Sequence, residues 1–250
     1  METDFNPFSL SGKTILVTGA SSGIGQATAL LCAKMGAKVI LTGRNRERLQ
    51  QTAESLPGDD HLMICADLTR MDERERLCED TPLLDGIVHC AGNGHRKPCK
   101  AISSDDIMTV MEANFNTAVL LQARLLTLRK INKSASIIFV SSRAAETPAI
   151  ANAVYSASKG ALKSYAKCLS LELAPRGIRV NCICPAVVLT PLILESGVDE
   201  EQLKEEQAKY PLKRYGQPED IANLAVFLLS DAASWMTGSC IDITGGAIGL

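Results

Sequence analysis

The 250-residue chain is predicted to fold as an α/β protein built on a parallel sheet. Seven short apolar runs, rich in Val, Ile and Leu, alternate with longer segments of helical period. The composition is 46% hydrophobic but only 4% aromatic, which is typical of an aliphatic core around a sheet that is buried on both faces. Chains of this length and class often form one domain, and no linker, repeat or low-complexity segment divides this one.

The predicted elements follow one another in a regular order. Strands are expected over residues 13–19, 38–42, 61–66, 85–90, 135–142, 178–184 and 239–243, and helices over 26–35, from about 71, over 103–129, over 152–173 and from 218. Residues 189–212 interrupt this alternation with a long, mixed stretch. At the carboxyl edge of an open α/β sheet, where ligands bind, such a connection indicates a substrate loop or lid.

Charge and hydropathy argue against several classes of function. The net charge of −2 gives no basis for binding nucleic acid or an anionic membrane. The sequence has no secretory signal pattern and no apolar run of the ~20 residues that a membrane helix needs, so we expect a cytoplasmic protein with reduced cysteines. Cys182 and Cys184 lack a second pair of ligands, so no metal site is predicted.

A glycine-rich turn joins the first predicted strand to the first helix. The strand ends in Thr18-Gly19, and Ala-Ser-Ser-Gly-Ile-Gly25 follows before the helix. Glycines let the backbone approach a pyrophosphate, and the N–H groups and dipole of a helix N-terminus attract its charge. Because the turn stands between a strand and a helix, it predicts a dinucleotide site. The residues predicted to line this site are Gly19, Ser21, Ser22, Gly23, Ile24 and Gly25.

The end of the second strand bears on the choice of cofactor. In a dinucleotide site this strand meets the adenosine ribose, where a carboxylate binds a free 2′-hydroxyl and an arginine accommodates a 2′-phosphate. Here Gly43 is followed by Arg44 and Asn45, which favours NADP, with NAD as the second choice. The alternative is that Arg44, like Arg46 and Arg48, only decorates the start of a solvated helix.

Two further strands end in candidate site residues. Asp67 and Leu68 follow the third strand, where Asp67 could reach the adenine or could cap the next helix. The fourth strand ends in Ala91-Gly92.

Tyr155 and Lys159 carry the main catalytic signal. Spaced four residues apart on a predicted helix, their side chains lie on one face. An isolated tyrosine releases its proton near pH ~10, but an ammonium ~4 Å away favours the phenolate by ~4 kcal/mol at a dielectric constant of ~20. The pair therefore predicts a general acid/base that works near neutral pH.

Two polar residues could join this pair. Ser142 ends the fifth strand shortly before the Tyr155 helix, so the returning chain could place the two side by side. Asn114 interrupts an apolar helical stripe and is either a satisfied core residue or part of a site.

The motifs have a common order and spacing. They are Thr18-Gly-Ala-Ser-Ser-Gly-Ile-Gly25, Ala91-Gly92, Asn114, Ser142, Tyr155, Lys159, Pro185 and Thr190. Over essentially the whole chain they resemble the short-chain dehydrogenase/reductase family, and segments 210–222, 227–234 and 237–238 most resemble its 3-oxoacyl-carrier-protein reductase branch. The resemblance implies a single-domain Rossmann fold over 1–250, with a seven-stranded parallel sheet and helices on both faces.

The resemblance also implies roles for the site residues. Tyr155 would exchange a proton with the substrate, and Lys159 would assist it and hold the nicotinamide ribose. Ser142 would hydrogen-bond the substrate oxygen, and Asn114 would hold a water that relays protons to Lys159. Further cofactor contacts are implied for Arg44, Asn45, Asp67, Leu68, Ala91, Gly92, Pro185, Val188 and Thr190.

The chain departs from the family pattern at three places. His89-Cys90 stands where Asn-Asn is usual, which questions the hydrogen bonding between strands there. Ala186 stands where glycine is usual. Ser22 stands where many NADP-dependent members carry a basic residue, so the preference for NADP rests on Arg44.

Two functions fit this pattern. One is an NADP(H)-dependent oxidoreductase that interconverts a carbonyl and a secondary alcohol, and the other is a non-enzymatic NADP-binding regulator on the same fold. The enzyme is favoured because all the catalytic positions are filled. Its substrate could be a 3-oxoacyl thioester, a steroid, a sugar or a small ketone. The resemblance further implies a homotetramer formed through helices 103–129 and 152–173, in which small residues allow close approach: Ala153, Ala157, Ala161 and Ala166.

Overall fold

Seven parallel strands form one sheet in the order β3-β2-β1-β4-β5-β6-β7. The computed structural model describes residues 6–194 and 200–247. Its strands are β1 Thr14–Thr18, β2 Lys38–Gly43, β3 Leu62–Cys65, β4 Leu84–His89, β5 Ile131–Val140, β6 Arg179–Pro185 and β7 Cys240–Ile243. The predicted single-domain α/β fold is confirmed, with strand ends shifted by a few residues.

Helices cover both faces of this sheet. They are α1 Gly23–Lys34, α2 Arg46–Ser55, α3 Met71–Asp80, α4 Ser104–Met111, α5 Thr117–Thr127, α6 Ala153–Leu173, α7 Pro191–Leu194, α8 Glu200–Lys209 and α9 Pro218–Leu229. Short 3₁₀ turns span Cys99–Ala101, Arg143–Ala145, Ala174–Arg176 and Asp231–Ala233. In the described part of the chain, no helix combines the length and the apolar character needed to cross a membrane.

The sheet separates two apolar layers because neighbouring residues of a strand point to opposite faces. In β1, Leu16 belongs to the layer beneath α3, α5 and α6, whereas Ile15 and Val17 belong to the layer beneath α1, α2 and α9. All three side chains are fully buried. A strand with both faces covered has to be apolar throughout, which explains the uninterrupted Val, Ile and Leu runs.

The prediction of one continuous helix over residues 103–129 is wrong, because the helix is interrupted. A π turn, Glu112–Asn116, separates α4 from α5. Such a turn inserts one residue into the helix and turns its side chains relative to the regular spacing. The fully buried Asn114 lies in this turn. The apolar residues on each side keep helical spacing, so periodicity could not reveal the interruption.

The stretch predicted as a mixed connection over residues 189–212 contains two helices, α7 and α8. Residues 195–199 of it lie outside the described residues. At its start, the Leu189 amide donates to the Gly216 carbonyl at 2.9 Å, next to a parallel bridge between Val188 and Gly216. At its end, the rings of Tyr210 and Tyr215 pack edge to face at 5.0 Å. Both ends are therefore anchored, and the role of the stretch as a substrate lid stays a prediction.

His89, one of the departures from the family pattern, is integrated into the core. Its ring is stacked on Phe139 with centroids 4.6 Å apart, and its Nε2 hydrogen-bonds Gln122 Oε1 at 3.1 Å. Burial lowers the pKa of His89 to about 4, although the hydrogen bond to Gln122 acts in the opposite direction. The interior of the sheet therefore holds the imidazole in its neutral form.

We predict that this imidazole makes the fold sensitive to acid. The unfolded chain takes up a proton near pH 6.5 and the folded chain only near pH 4, so stability is lost as the pH falls through that window. Between pH 7 and pH 4, the free energy of unfolding of the wild type should fall by about 3 kcal/mol more than that of His89→Asn, which cannot titrate. Urea unfolding across this range measures both. Parallel pH curves for the two proteins would contradict the prediction.

Candidate active site

A cleft opens at the carboxyl edge of the sheet, where β1 has β2 on one side and β4 on the other. At this point the strand order reverses, and open α/β sheets bind ligands at such a point. The cleft brings together most of the predicted cofactor-binding residues: Gly19, Ser21, Ser22, Gly23, Ile24, Gly25, Arg44, Asp67, Leu68, Ala91, Gly92 and Thr190.

Two glycines shape the floor of this cleft. Gly19 has φ +65°, and a Cβ on it would lie 3.0 Å from the Ala91 Cα. A Cβ on Gly25 would lie 2.3 Å from the Gly19 carbonyl oxygen, closer than atoms can approach. Thr18 Oγ1 accepts hydrogen bonds from the amides of Cys90 and Ala91, both at 3.1 Å. The end of β1 is therefore fastened to the end of β4, and only glycine fits the turn between them.

The N-terminus of α1 faces the same cleft. Ser22 is its extended N-cap residue, and its first turn contains no acidic residue. Thr190 lies over this turn, because a Cβ on Gly23 would be 3.0 Å from Thr190 Cγ2. Backbone amides at the positive end of a helix, close-packed glycines and the absence of a competing carboxylate in that turn fit the pyrophosphate of a dinucleotide.

The adenosine end of the cleft carries opposite charges. Arg44 is exposed and lines the cleft just before α2. Asp67 accepts hydrogen bonds from the amide and the hydroxyl of Thr69 at 3.0 and 2.7 Å. Partial burial acts to raise the pKa of the Asp67 carboxyl. The hydrogen bonds from Thr69, and then the charge of Arg44, outweigh burial and lower this pKa. The Asp67 carboxylate is thus favoured over its protonated form, and it lies within electrostatic reach of Arg44.

Two predicted residues have local structural roles here. Asn45 is the N-cap of α2 and accepts a hydrogen bond from the Arg48 amide at 2.9 Å. It lies outside the cleft lining, so its contact with a cofactor stays a prediction. The alternative that Asp67 caps the following helix is wrong, because α3 begins at Met71 with Arg70 as its N-cap.

Lys159 lies at the inner end of the cleft. Its side chain is buried, and its Nζ donates to the Val140 carbonyl at 3.0 Å. The same Nζ is 5.8 Å from the centroid of the half-buried Tyr155 ring. A Cβ on Gly92 would lie 3.4 Å from this Nζ and 2.8 Å from Asn114 Oδ1. The structure therefore brings Tyr155, Lys159 and Asn114 together beside the cofactor cleft.

The Asn114 amide is both a satisfied core group and part of this site. Its Nδ2 donates to the Asn93 carbonyl at 3.0 Å and to Ser158 Oγ at 3.2 Å, and its Oδ1 accepts from the Asn93 amide at 2.8 Å. Asn114 thereby clamps the loop after β4 onto α6, one residue before Lys159. Asn93, which also lines the cleft, was missed by the sequence analysis because its contribution comes from its backbone, which no motif encodes.

Ser142 and Pro185 lie at the ends of β5 and β6. Ser142 Oγ accepts a hydrogen bond from the Ala144 amide at 3.1 Å in the turn that packs against α6. This bond leaves its hydroxyl proton free to be donated to a ligand. Pro185 ends β6, and the Ala186 amide donates to the Ile243 carbonyl at 3.1 Å. Val188 is buried and, like Pro185, lies outside the lining of the cleft, so the cofactor contacts implied for these two residues stay predictions.

Comparisons with known proteins agree with this site. A family model described as enoyl-(acyl carrier protein) reductase matches residues 19–247. The chain is 35% identical over 246 residues to a tropinone reductase homolog of Arabidopsis thaliana, covering 96% of this chain and 91% of the relative. It is 35% identical over 239 residues to a 3-oxoacyl-[acyl-carrier-protein] reductase of Rickettsia felis, covering 96% and 98%.

A solved structure extends the comparison to the cofactor. It is described as an NAD(P)-dependent gluconate 5-dehydrogenase of Beutenbergia cavernae with NADP bound at low occupancy. It has a TM-score of 0.88 and 33% identity, over 96% of this chain and 98% of that chain. The present chain belongs to the short-chain dehydrogenase/reductase family. It is an oxidoreductase of a family that uses NAD(P).

Proposed function

We propose that this protein is an NADP(H)-dependent oxidoreductase that interconverts a carbonyl and a secondary alcohol, with Tyr155 as general acid/base. The observation that carries the proposal is the position of the Lys159 ammonium. It is buried, held by the Val140 carbonyl, and lies beside both Tyr155 and the glycine-lined cleft. A buried cation in that place supports proton transfer next to a bound dinucleotide.

The cleft residues would hold the parts of the dinucleotide in sequence. The turn from Gly19 to Gly25 would hold the pyrophosphate, and Asp67 and Leu68 the adenine. Arg44 would hold the 2′-phosphate. Ala91 and Gly92 would contact the middle of the cofactor, and Val188 and Thr190 would hold the nicotinamide carboxamide. Pro185 would make a further contact with the cofactor. When bound, the nicotinamide supplies or accepts the hydride.

Tyr155 and Lys159 manage the proton. During reduction, Tyr155 Oη gives its proton to the carbonyl oxygen, and during oxidation the phenolate takes the hydroxyl proton. The Lys159 ammonium, 5.8 Å from the centroid of the Tyr155 ring, would attract the negative charge of the phenolate, and water screens it little because Lys159 is only 6% exposed. The hydrogen bond from Lys159 Nζ to the Val140 carbonyl uses one of the three ammonium protons. The other two can be donated to the ribose and to a proton relay.

Ser142 and Asn114 support this transfer. The free hydroxyl proton of Ser142 would be donated to the substrate oxygen as its charge develops. Both Nδ2 protons of Asn114 are used, but its Oδ1 accepts only one hydrogen bond and has a second lone pair for the relay water.

The substrate class is left to experiment. The relatives named above bear substrate names as different as tropinone, a 3-oxoacyl thioester and gluconate. We propose a small-molecule or acyl-thioester carbonyl substrate. A screen of NADPH oxidation against a 3-oxoacyl thioester, a steroid, a sugar and a small ketone would identify the class, and no turnover with any of the four would count against the reductase.

We propose a cytoplasmic location as well. All nine cysteines have free thiols, as is usual in a reducing compartment. Fractionation of the source cells would test this, and recovery in a secreted or membrane fraction would contradict it.

Replacing Tyr155 by phenylalanine tests the acid. The ring stays and only the hydroxyl is lost, so kcat should fall by about 10²- to 10⁴-fold while the Kd for NADPH changes little. Tyr165→Phe is the matched control, because Tyr165 packs against Phe115 and Phe139 in the core and its variant should keep its activity. Near-normal turnover of Tyr155→Phe would rule out the proposed role.

Replacing Gly43 and Arg44, at the end of β2, tests the cofactor preference. A guanidinium–phosphate contact contributes ~1.5–3 kcal/mol, which corresponds to a preference for NADPH over NADH of roughly ten- to a hundredfold. The exposure of Arg44 and its nearness to Asp67 favour the lower value.

Two variants separate the contributions to this preference. Arg44→Ala should weaken the binding of NADPH and leave the binding of NADH unchanged. Arg44→Ala combined with Gly43→Asp should also strengthen the binding of NADH, because the new carboxylate can bind a free 2′-hydroxyl. Fluorescence titration measures both dissociation constants in each protein. Equal affinities in the wild type would exclude the preference for NADP.

We further propose a homotetramer that forms through the outer faces of α4, α5 and α6. On α6, Ala153 and Ala157 are exposed and Ala161 is half-buried, so they can meet a neighbouring helix closely. Ala166, which was predicted for the same face, is instead part of the core, being only 2% exposed.

Light scattering should give a mass near four times 26.8 kDa. Ala157→Arg should dissociate the assembly, and a monomeric wild type at micromolar concentration would contradict it.

A further inference from the structure

Three cysteines meet where β6 and β7 pair, on the side of the sheet covered by α6. Cys182 is directly opposite Cys240 in the parallel register, and Cys184 is opposite Asp242. All three cysteines belong to one apolar layer. The Cys182 amide donates to the Ser239 carbonyl at 2.8 Å, which holds the two strands together at this point. The carbonyl chemistry proposed above uses none of these side chains.

The three thiols differ in burial and in charge. Cys182 and Cys184 are fully buried, whereas Cys240 is partly exposed. Hydrogen bonds from Cys182 and Cys184 lower the pKa of the Cys240 thiol. Burial acts in the opposite direction, and the charges of Lys163 and Lys167 lower this pKa further. The Lys163 side chain is only 10% exposed, and its ammonium is ion-paired with the carboxylate of Glu146, which offsets part of its charge.

From this cluster we propose that Cys240 is a reactive cysteine that a hydroperoxide oxidises, and that Cys182 then resolves the product as a disulfide. Partial exposure beside two neighbouring thiols and two lysines, one of them ion-paired with Glu146, matches the surroundings in which cysteines become nucleophilic. The other two cysteines of the cluster are shielded from solvent and act as hydrogen-bond donors.

The chemistry has two steps. The Cys240 thiolate attacks one oxygen of the hydroperoxide, so that an S–O bond forms, the O–O bond breaks and the other oxygen leaves as an alcohol or water after taking up a proton. Cys240 becomes a sulfenic acid while the peroxide is reduced by two electrons. Cys182 then attacks this sulfur, an S–S bond forms, and the hydroxyl group leaves as water with the Cys182 proton.

The strand register selects Cys182 over Cys184 as the partner. Neighbouring strands are about 4.8 Å apart, which falls within the range of ~4.4–6.8 Å between Cα atoms that a disulfide spans. Cys184 is two residues further along β6, and about 6.6 Å of additional rise brings its Cα roughly 8 Å from that of Cys240, too far for a bridge. A bridge between adjacent strands of this kind is reducible, so the modification can be reversed.

Alkylation rates test the thiolate. The purified protein is treated with limiting iodoacetamide at pH 6, and the modified cysteines are quantified by peptide mass spectrometry. Cys240 should react at least about tenfold faster than Cys99, because an ordinary thiol is almost fully protonated at this pH. Exposure alone predicts the opposite order, since Cys99 is exposed and Cys240 only partly so. Faster reaction of Cys99 would overturn the proposal.

Oxidation with hydrogen peroxide tests the partner. Non-reducing peptide maps should contain a Cys182–Cys240 bridge in the wild type and in Cys184→Ser. Cys182→Ser keeps a hydrogen-bond donor but cannot form the bridge, so it should stop at a sulfenic acid that dimedone traps on Cys240. Absence of the bridge from both the wild type and Cys184→Ser would overturn the resolving step, even if Cys182→Ser failed to fold.

Discussion

The site depends first on how closely the ends of β1 and β4 approach each other. One hydroxyl, that of Thr18, accepts both amides at the end of β4, and the two strands are thereby held at a fixed separation. Gly19 and Gly25 lack the side chains that would keep the turn away from β4 and from itself. The N-terminus of α1 is consequently aimed into the gap between the strands, where its amides and dipole can act on an anion. Most of the cofactor contacts proposed for this protein lie around that turn.

Buried polar groups then place Tyr155 and Lys159. A buried donor or acceptor without a partner costs about 1–3 kcal/mol, so each such group strongly prefers the arrangement that satisfies it. Asn114 finds its partners in Asn93 and Ser158, and Lys159 finds one in Val140. Together these bonds fix the start of α6, and with it Tyr155, against the loop that lines the cleft. His89 follows this rule only in part, because Gln122 Oε1 bonds its Nε2 while His89 Nδ1 and Gln122 Nε2 are buried without a partner among the described residues.

The structural features that the sequence predicted well are those specified by residues that are close together in the sequence. The strands were found because a sheet covered on both faces requires uninterrupted apolar runs, and Tyr155 and Lys159 because one helical turn brings residues four apart together. The π turn at Asn114 was missed because it depends on the backbone of Asn93, 21 residues away. Helix α8 was missed because its charged residues lack the apolar stripe that signals a packed helix. Ala166 was assigned to the wrong face because small residues on α6 face both inward and outward.

The sequence by itself therefore determined the α/β class, the glycine turn and the spacing of Tyr155 and Lys159, since each is encoded over a few neighbouring residues. Only the tertiary structure decided which distant groups meet. Thr190 lies over Gly23, Arg44 lies within reach of Asp67, and Cys182 lies opposite Cys240. Each of these pairs joins segments that are brought together by strand order and helix packing, and strand order is set by the burial of the whole core rather than by any local pattern.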